Sequence, residues 1–319
     1  VVRQAWDPSH LPDLSGRRYL VTGSNAGLGF FSSEQLLGAG ARVVMTGRSP
    51  NRLTAAKAAV LRRNPEGDGR VETLVLDTSN LGSVRAAAAS AATSGPIDGV
   101  LLNAGIVHPP SIRTTTGDGN ELVFATNALG HFALAGELLP ALAAASGRIV
   151  WLGSMSTSIW RYDPVDPQLA TGYTAWRAYV QSKVATAALG YEADRRLRAA
   201  NVPVGSLVAH PGYSIGGRTP GILGVNQPSR WKRFVDNLQG PISQSKEHGA
   251  WPLVRALVDP DAESGGCYGP RFGARGEPQR VRPSAITRSP EIATRLWAVC
   301  ERAARVQWPF AKAAQVAAL

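Results

Sequence analysis

Thr22-Gly23-Ser24-Asn25-Ala26-Gly27-Leu28-Gly29 is the stretch whose reading decides the fold. It closes a β-rich run, Arg17 to Thr22, and leads into a helical segment that starts near Leu28. Its three glycines let the chain turn tightly, bring backbone close to a pyrophosphate and open a helix whose free N–H groups face an anion. Glycine serves ordinary turns as well, but strand before and helix after mark a dinucleotide loop, spaced GxxxGxG rather than the commoner GxGxxG.

Outward from this loop, short β-rich runs alternate with longer helical patterns. Arg42 to Thr46, Val71 to Val75, Gly99 to Asn103, Arg148 to Leu152 and Pro203 to Val208 read as further strands. Ser49-Pro50 ahead of Leu53 to Leu61 is a helix start, and Ser289-Pro290-Glu291 repeats it before a C-terminal helix running to about Arg305. Strand then helix, about six times over, predicts an α/β fold: a doubly wound parallel sheet of the Rossmann type, with its ligand beyond the strand C-termini. From Pro211 to about Gly249 the rhythm breaks into Gly, Pro and Ser around Trp231 and Phe234, a lid over that edge. No shift of composition marks a second domain. Residues 1–319 are expected to form one, with a lid at about 211–249 and a C-terminal helical extension at about 259–319.

Length and composition agree with this reading. With 319 residues, 44% hydrophobic and 18% charged, the chain can bury a large core without disulfides or structural metal. Cys267 and Cys300 have no CxxC partner, and the histidines at 10, 108, 131, 210 and 248 have no metal-ligand spacing, so no metal is expected. Val1 to Ser15 lacks the basic start and apolar run of a signal peptide, and Leu138 to Ala145 is too short for a membrane span and interrupted by Pro140. A cytoplasmic protein with no membrane partner is expected. The net charge of +11 comes mostly from scattered arginines, with only five lysines and no purely basic block, which describes a solvated surface rather than a nucleic-acid site.

The second strand ends in Gly47-Arg48, where an NAD enzyme carries an acid for the ribose 2'-hydroxyl. An arginine there suits a 2'-phosphate, so NADP(H) is favoured over NAD(H). Asp77, with Thr78 beside it, follows the third strand, where a carboxylate can accept from the adenine amino group or cap the next helix. Tyr179 and Lys183 stand four residues apart in Tyr173 to Arg198, on one helix face. An ammonium beside a phenol favours phenolate and tunes it for acid–base work. Ser154 closes the fifth strand at the same sheet edge, with a hydroxyl free to donate to a carbonyl and Ser156 as a neighbouring competitor.

These elements, taken in order, give the chain a resemblance to the short-chain dehydrogenase/reductase family from about Pro12 to Leu257. The motifs are Thr22 to Gly29 (TGxxxGxG), Asp77, Asn103-Ala104-Gly105, Asn127 in Asn127-Ala128-Leu129-Gly130-His131-Phe132, Ser154, Tyr179 to Lys183 (YxxxK) and His210-Pro211-Gly212. NALGHF, YVQSK and HPG resemble the retinol-dehydrogenase-like and protochlorophyllide-reductase-like branch. The resemblance implies that Tyr179 is the general acid, that Lys183 lowers its pKa and binds the nicotinamide ribose, that Ser154 orients the carbonyl, and that Asn127 helps a water relay protons. It also implies that Gly23, Ser24, Asn25, Ala26, Gly27, Leu28 and Gly29, then Asn103, Ala104 and Gly105, and finally Pro211 and Gly212, flank the dinucleotide. A homodimer or homotetramer is implied too, unless the residues after about Asp259 cover that surface and leave a monomer. The chain departs from the pattern where the family's nicotinamide-binding threonine is expected: Gly216 stands there, with Thr219 three residues later.

The function expected is NADPH-dependent reduction of a bulky apolar ketone or aldehyde, reversibly oxidising the alcohol. Met155, Trp160, Tyr162, Tyr173, Trp176 and Tyr213 are the expected pocket walls, although aromatic residues in a chain this size often belong to the core. The alternatives are a non-enzymatic NADP-binding sensor on the same fold, and NAD-dependent alcohol oxidation.

Overall fold

The computed structural model describes residues 6–8, 10–158 and 162–318. Its framework is an eight-stranded sheet in the order β3-β2-β1-β4-β5-β6-β7-β8. The strands are β1 (Arg18–Val21), β2 (Arg42–Gly47), β3 (Val71–Val75), β4 (Gly99–Leu102), β5 (Arg148–Leu152), β6 (Gly205–Ala209), β7 (Cys267–Pro270) and β8 (Pro278–Arg280). All neighbours pair in parallel except β7 and β8. Strands β1 and β4 are buried along their whole length, as expected where helices cover both faces of a parallel sheet.

Helices α1 (Gly27–Gly38), α2 (Pro50–Arg63) and α3 (Leu81–Thr93) fill the first crossovers. Side chains that bond a free first-turn N–H fix several starts: Ser49 accepts from Arg52 N with Pro50 at the first helical position, and Asn80 accepts from Ser83 N. Next come α4 (Leu122–Phe124), a π-helical turn over Ala125–Leu129 and α5 (Gly130–Ala143), which together form one continuous helix, Leu122–Ala143. That helix is long and apolar enough to cross a bilayer, but 83% of its most apolar window is buried inside the protein. It also runs through Pro140, where an interruption was expected, because the proline lies in its last turn, with little helix left to disrupt.

The remaining helices are α6 (Ala175–Ala199), α7 (Arg230–Leu238), α8 (Lys246–Val258), α9 (Ala285–Arg288), α10 (Pro290–Ala304) and α11 (Phe310–Ala317). One core lies under α3, α5, α6, α10 and α11, with Phe132, Trp151, Trp297 and Trp308 among its large side chains. On the opposite face α1, α2 and α8 enclose Phe30, Phe31, Met45 and Leu253.

The extension corrects one expectation. It is not only helical: residues 267–270 and 278–280 lengthen the sheet past β6, and Gly212 at the lid's start packs against the Ala274 carbonyl between them. Residues 212–213 and 244 therefore pack against the turn between β7 and β8.

Candidate active site

The dinucleotide loop is shaped by close approach. Gly23 and Gly27 have φ of +66° and +58°, where a side chain is strained, and a Cβ on Gly29 would lie 2.5 Å from the Gly23 carbonyl oxygen. Ser24 faces inward, its N–H and hydroxyl both donating to the Thr46 carbonyl at 2.9 and 3.2 Å. Ala26 precedes α1 and offers no side-chain cap, and the first turn carries no acid. An uncapped helix start above a glycine cradle fits a pyrophosphate.

Thr22 ties this loop to the other motifs. Its hydroxyl accepts from the backbone N–H of Asn103 and of Ala104, each at 2.8 Å, and lies 2.9 Å from His131 Nε2. His131 Nδ1 is 3.1 Å from the Asn127 carbonyl, which can only accept, so the proton sits on Nδ1. Burial pushes the imidazole pKa down to about 3, so the ring is neutral, Nε2 is an acceptor, and the Thr22 hydroxyl donates to it. Asn103 Nδ2 donates to the Thr22 carbonyl at 2.7 Å. Gly105 stands so close to Asn127 that a Cβ would come within 3.0 Å of Oδ1.

Asn127 lies within the π turn. Its carbonyl accepts from His131 and faces Thr186 Oγ1 at 3.0 Å, whose one proton it shares with the Ser182 carbonyl at 2.8 Å. Its side chain accepts from Ile106 N at 2.7 Å and donates to the Ile106 carbonyl and to Ser182 Oγ. Asn127 thus braces α6 against the strand-four loop.

Tyr179, Ser154 and Lys183 come together at the sheet edge. The Tyr179 hydroxyl lies 3.3 Å from Ser154 Oγ and the Ser156 hydroxyl 3.0 Å from it, while the Ser156 N–H donates to that oxygen at 3.2 Å. Lys183, 4% exposed, donates from Nζ to the Leu152 carbonyl at 2.9 Å. Burial pulls its pKa down to about 8. Burial also raises the Tyr179 phenol, and the Ser154 hydrogen bond pulls it only partly back. In this arrangement the Lys183 ammonium is held on the Leu152 carbonyl.

Arg48 is exposed at the end of β2. Sequence reasoning missed its companion Arg52, one helical turn on: with the Asn25 amide oxygen turned toward it, Arg52 donates from Nε and Nη2 at 3.2 Å each. Among the described residues, the Asp77 carboxylate accepts from the N–H and hydroxyl of Ser79, while Thr78 is buried with its carbonyl against Gly130. The Pro211 carbonyl accepts from Ser214 and Gln244, and His210, its pKa pushed down to about 4 by burial, accepts from Gly212 N at 3.3 Å as a turn residue.

The expected pocket walls divide. Met155 lines a cavity of about 370 Å3 with Ser154, Tyr191, His210, Arg271 and Arg282. Trp176, 47% exposed, packs on the Tyr179 ring with centroids 5.8 Å apart. Tyr173 donates to the Pro110 carbonyl, and Tyr213 donates across the lid to Gln239. Tyr162 is buried in the sheet-side core instead of opening to the cleft, and Trp160 lies outside the described residues. Arg271 and Arg282 come from the extension and carry no motif. A larger cavity of about 490 Å3, lined by residues such as Arg218, His248 and Arg275, touches none of the four catalytic candidates.

A glycine cradle and a Tyr/Lys/Ser cluster on one sheet edge define the class: a dinucleotide-binding oxidoreductase. The family model for "short chain dehydrogenase" matches residues 17–214, and the chain belongs to that family, whose members bind nicotinamide cofactors. Mouse polyprenol dehydrogenase is 33% identical over 309 residues, covering 93% of this chain and 86% of its own length. Human retinol dehydrogenase 14 is 32% identical over 317 residues, covering 94% and 89%. A crystal structure of an uncharacterised protein from Mycobacterium paratuberculosis superposes with a TM-score of 0.78 at 32% identity, over 96% of this chain and all of that one. These relatives support the retinol-dehydrogenase-like branch of the family.

Proposed function

We propose that this chain uses NADPH to reduce bulky apolar ketones or aldehydes, and reversibly oxidises the matching alcohols. The observation that carries the reading is the 3.3 Å contact between the Tyr179 and Ser154 hydroxyls at the edge where the glycine cradle opens. The bound dinucleotide supplies or accepts the hydride. Ser154 turns its hydroxyl to hydrogen-bond the substrate carbonyl, and Tyr179 passes its proton to that oxygen as negative charge develops. Lys183 holds positive charge beneath the site, with the Leu152 carbonyl fixing its ammonium. Asn127 holds α6, and with it both Tyr179 and Lys183, in register through Ser182 and Thr186.

Arg48 and Arg52, two guanidinium groups where an acid would select NAD, support the preference for NADPH. The names polyprenol and retinol dehydrogenase support a long apolar substrate, in keeping with Met155 beside Ser154 and Trp176 against Tyr179. The test is NADPH oxidation, followed at the nicotinamide absorbance, with bulky ketones, quinones and long-chain prenyl and retinoid aldehydes, against NADH and against Tyr179→Phe. Turnover should be fast with NADPH, slow with NADH and about 10^3-fold lower in the variant. Equal rates for wild type and Tyr179→Phe overturn the assigned acid.

A further inference from the structure

Gly216 occupies the place where the resemblance puts a threonine, and the structure shows what fills the space instead. A Cβ at Gly216 would lie 3.7 Å from Lys232 Cε and 4.0 Å from Lys246 Nζ. A Cβ at Gly27, in the phosphate loop, would lie 3.4 Å from Lys246 Cδ and 3.5 Å from Nζ. Lys246 therefore reaches from the start of α8 across to the uncapped start of α1. Thr219 does not take over the missing threonine's place. It is fully buried, accepts from Lys246 N at 2.9 Å and donates to the Ile215 carbonyl at 2.8 Å, so its hydroxyl is spent on seating the lysine.

The charge around this lysine is unbalanced. Among the described residues, Lys246 Nζ makes no hydrogen bond and no ion pair within 4 Å. The nearby acid, Asp236, is committed to Lys232 at 3.0 Å and to Gly217 N at 2.6 Å. Burial, and then the charge of Lys232, lower the Lys246 pKa, with Asp236 opposing them. The unpaired Lys246 ammonium thus stands at the positive end of α1, beside the Lys232–Asp236 ion pair, an arrangement that an anion relieves.

We propose that Lys246 pairs with the pyrophosphate of the bound dinucleotide, so that this segment grips cofactor charge in a chain that lacks the family pattern's threonine at Gly216. The inference rests on dinucleotide binding at the glycine cradle and is independent of the preference between NADPH and NADH. Lys246 is a binding residue contributed by the lid, with no part in proton transfer.

The test is calorimetric titration of wild type, Lys246→Gln and Lys246→Arg with three ligands: NADP+, ADP-ribose, which has the pyrophosphate without a 2'-phosphate, and 2'-AMP, which has the reverse. Lys246→Gln should weaken NADP+ and ADP-ribose about tenfold, with a flatter dependence on salt, and leave 2'-AMP unchanged. Lys246→Arg should keep most of the affinity. Unchanged ADP-ribose affinity in Lys246→Gln, or an equal loss for 2'-AMP, overturns the proposal; the 2'-AMP arm also reports whether the variant is folded. Wild type that binds ADP-ribose as tightly as NADP+ overturns the NADPH preference alone and leaves the lysine's test intact.

Discussion

On the sheet side of the cleft, Thr22, Asn103, Asn127 and His131 are each less than a tenth exposed and each bonded to a named partner. On the lid side, Trp231, Phe234 and Leu238 of α7 are 72, 56 and 68% exposed, while the same helix turns Asp236 inward onto Gly217 and Lys232. The floor buries its polar groups in mutually satisfied bonds, and α7 is an amphipathic helix with its apolar stripe outward. Losing a buried bond leaves its partner unsatisfied and costs about 1–3 kcal/mol, whereas losing an exposed contact lets water in at little cost. The same cleft therefore has a rigid wall and a tolerant one, and substitutions on the two should differ severalfold.

The largest effect is expected at Gly130, which crosses the Thr78 backbone so closely that a methyl group would drive into its carbonyl oxygen. Neither element can withdraw, since Thr78 connects β3 to α3 and Gly130 begins α5 under the core. Gly130→Ala should cost about 4 kcal/mol or more in urea denaturation, with activity falling in step as the Asn127 brace shifts. A cost under about 1 kcal/mol would show that the floor yields as readily as the lid.

Lys183 sharpens the comparison through pH. Its folded pKa of about 8 lies below the ordinary lysine value of 10.5, so the folded state disfavours the ammonium. That penalty is fully present below pH 8 and is relieved as pH rises from 8 to about 10.5, because only the unfolded chain still binds the proton there. A shift of this size corresponds to about 3 kcal/mol. Wild type should gain about that much stability relative to Lys183→Met across the window. The variant loses the bond to Leu152 at every pH, so the pH-dependent part isolates the buried charge. Parallel stability curves for the two proteins would mean that the ammonium is solvated.

Legibility in the sequence follows the same division. Thr22, Gly29, Asn103, Gly105, Asn127 and Gly130 were readable because close approach or a buried bond admits few residue types, which is how a motif arises. Six strands and the Ser49 and Ser289 helix starts were readable from pattern and capping chemistry. Residues 267–270 and 278–280 were not, since such short strands, with Pro or Gly in each, look like the loop between them. Arg52, Lys246, Arg271 and Arg282 were missed for another reason: a lone cation has the same signature on a solvated surface as beside a ligand, and only the fold sets Lys246 against Gly27. Tyr162 shows the converse error, an aromatic residue counted toward the pocket that the core claims.

The smallest stability effect is expected on the lid's outer stripe. Trp231 and Phe234 stack on each other with centroids 5.7 Å apart, yet both stay largely open to water, so little apolar area returns to solvent when they are removed. Trp231→Ser combined with Phe234→Ser should change unfolding free energy by about 0.5 kcal/mol or less. Its consequence belongs to function: if the stripe meets long apolar substrates as the lid closes, KM for a prenyl aldehyde should rise while turnover of a small aldehyde stays the same. A stability loss above about 1 kcal/mol would mean that the stripe is packed against something in solution, a second copy of the chain included. Sedimentation of wild type and variant would then separate self-association from closure of the lid on its own cleft.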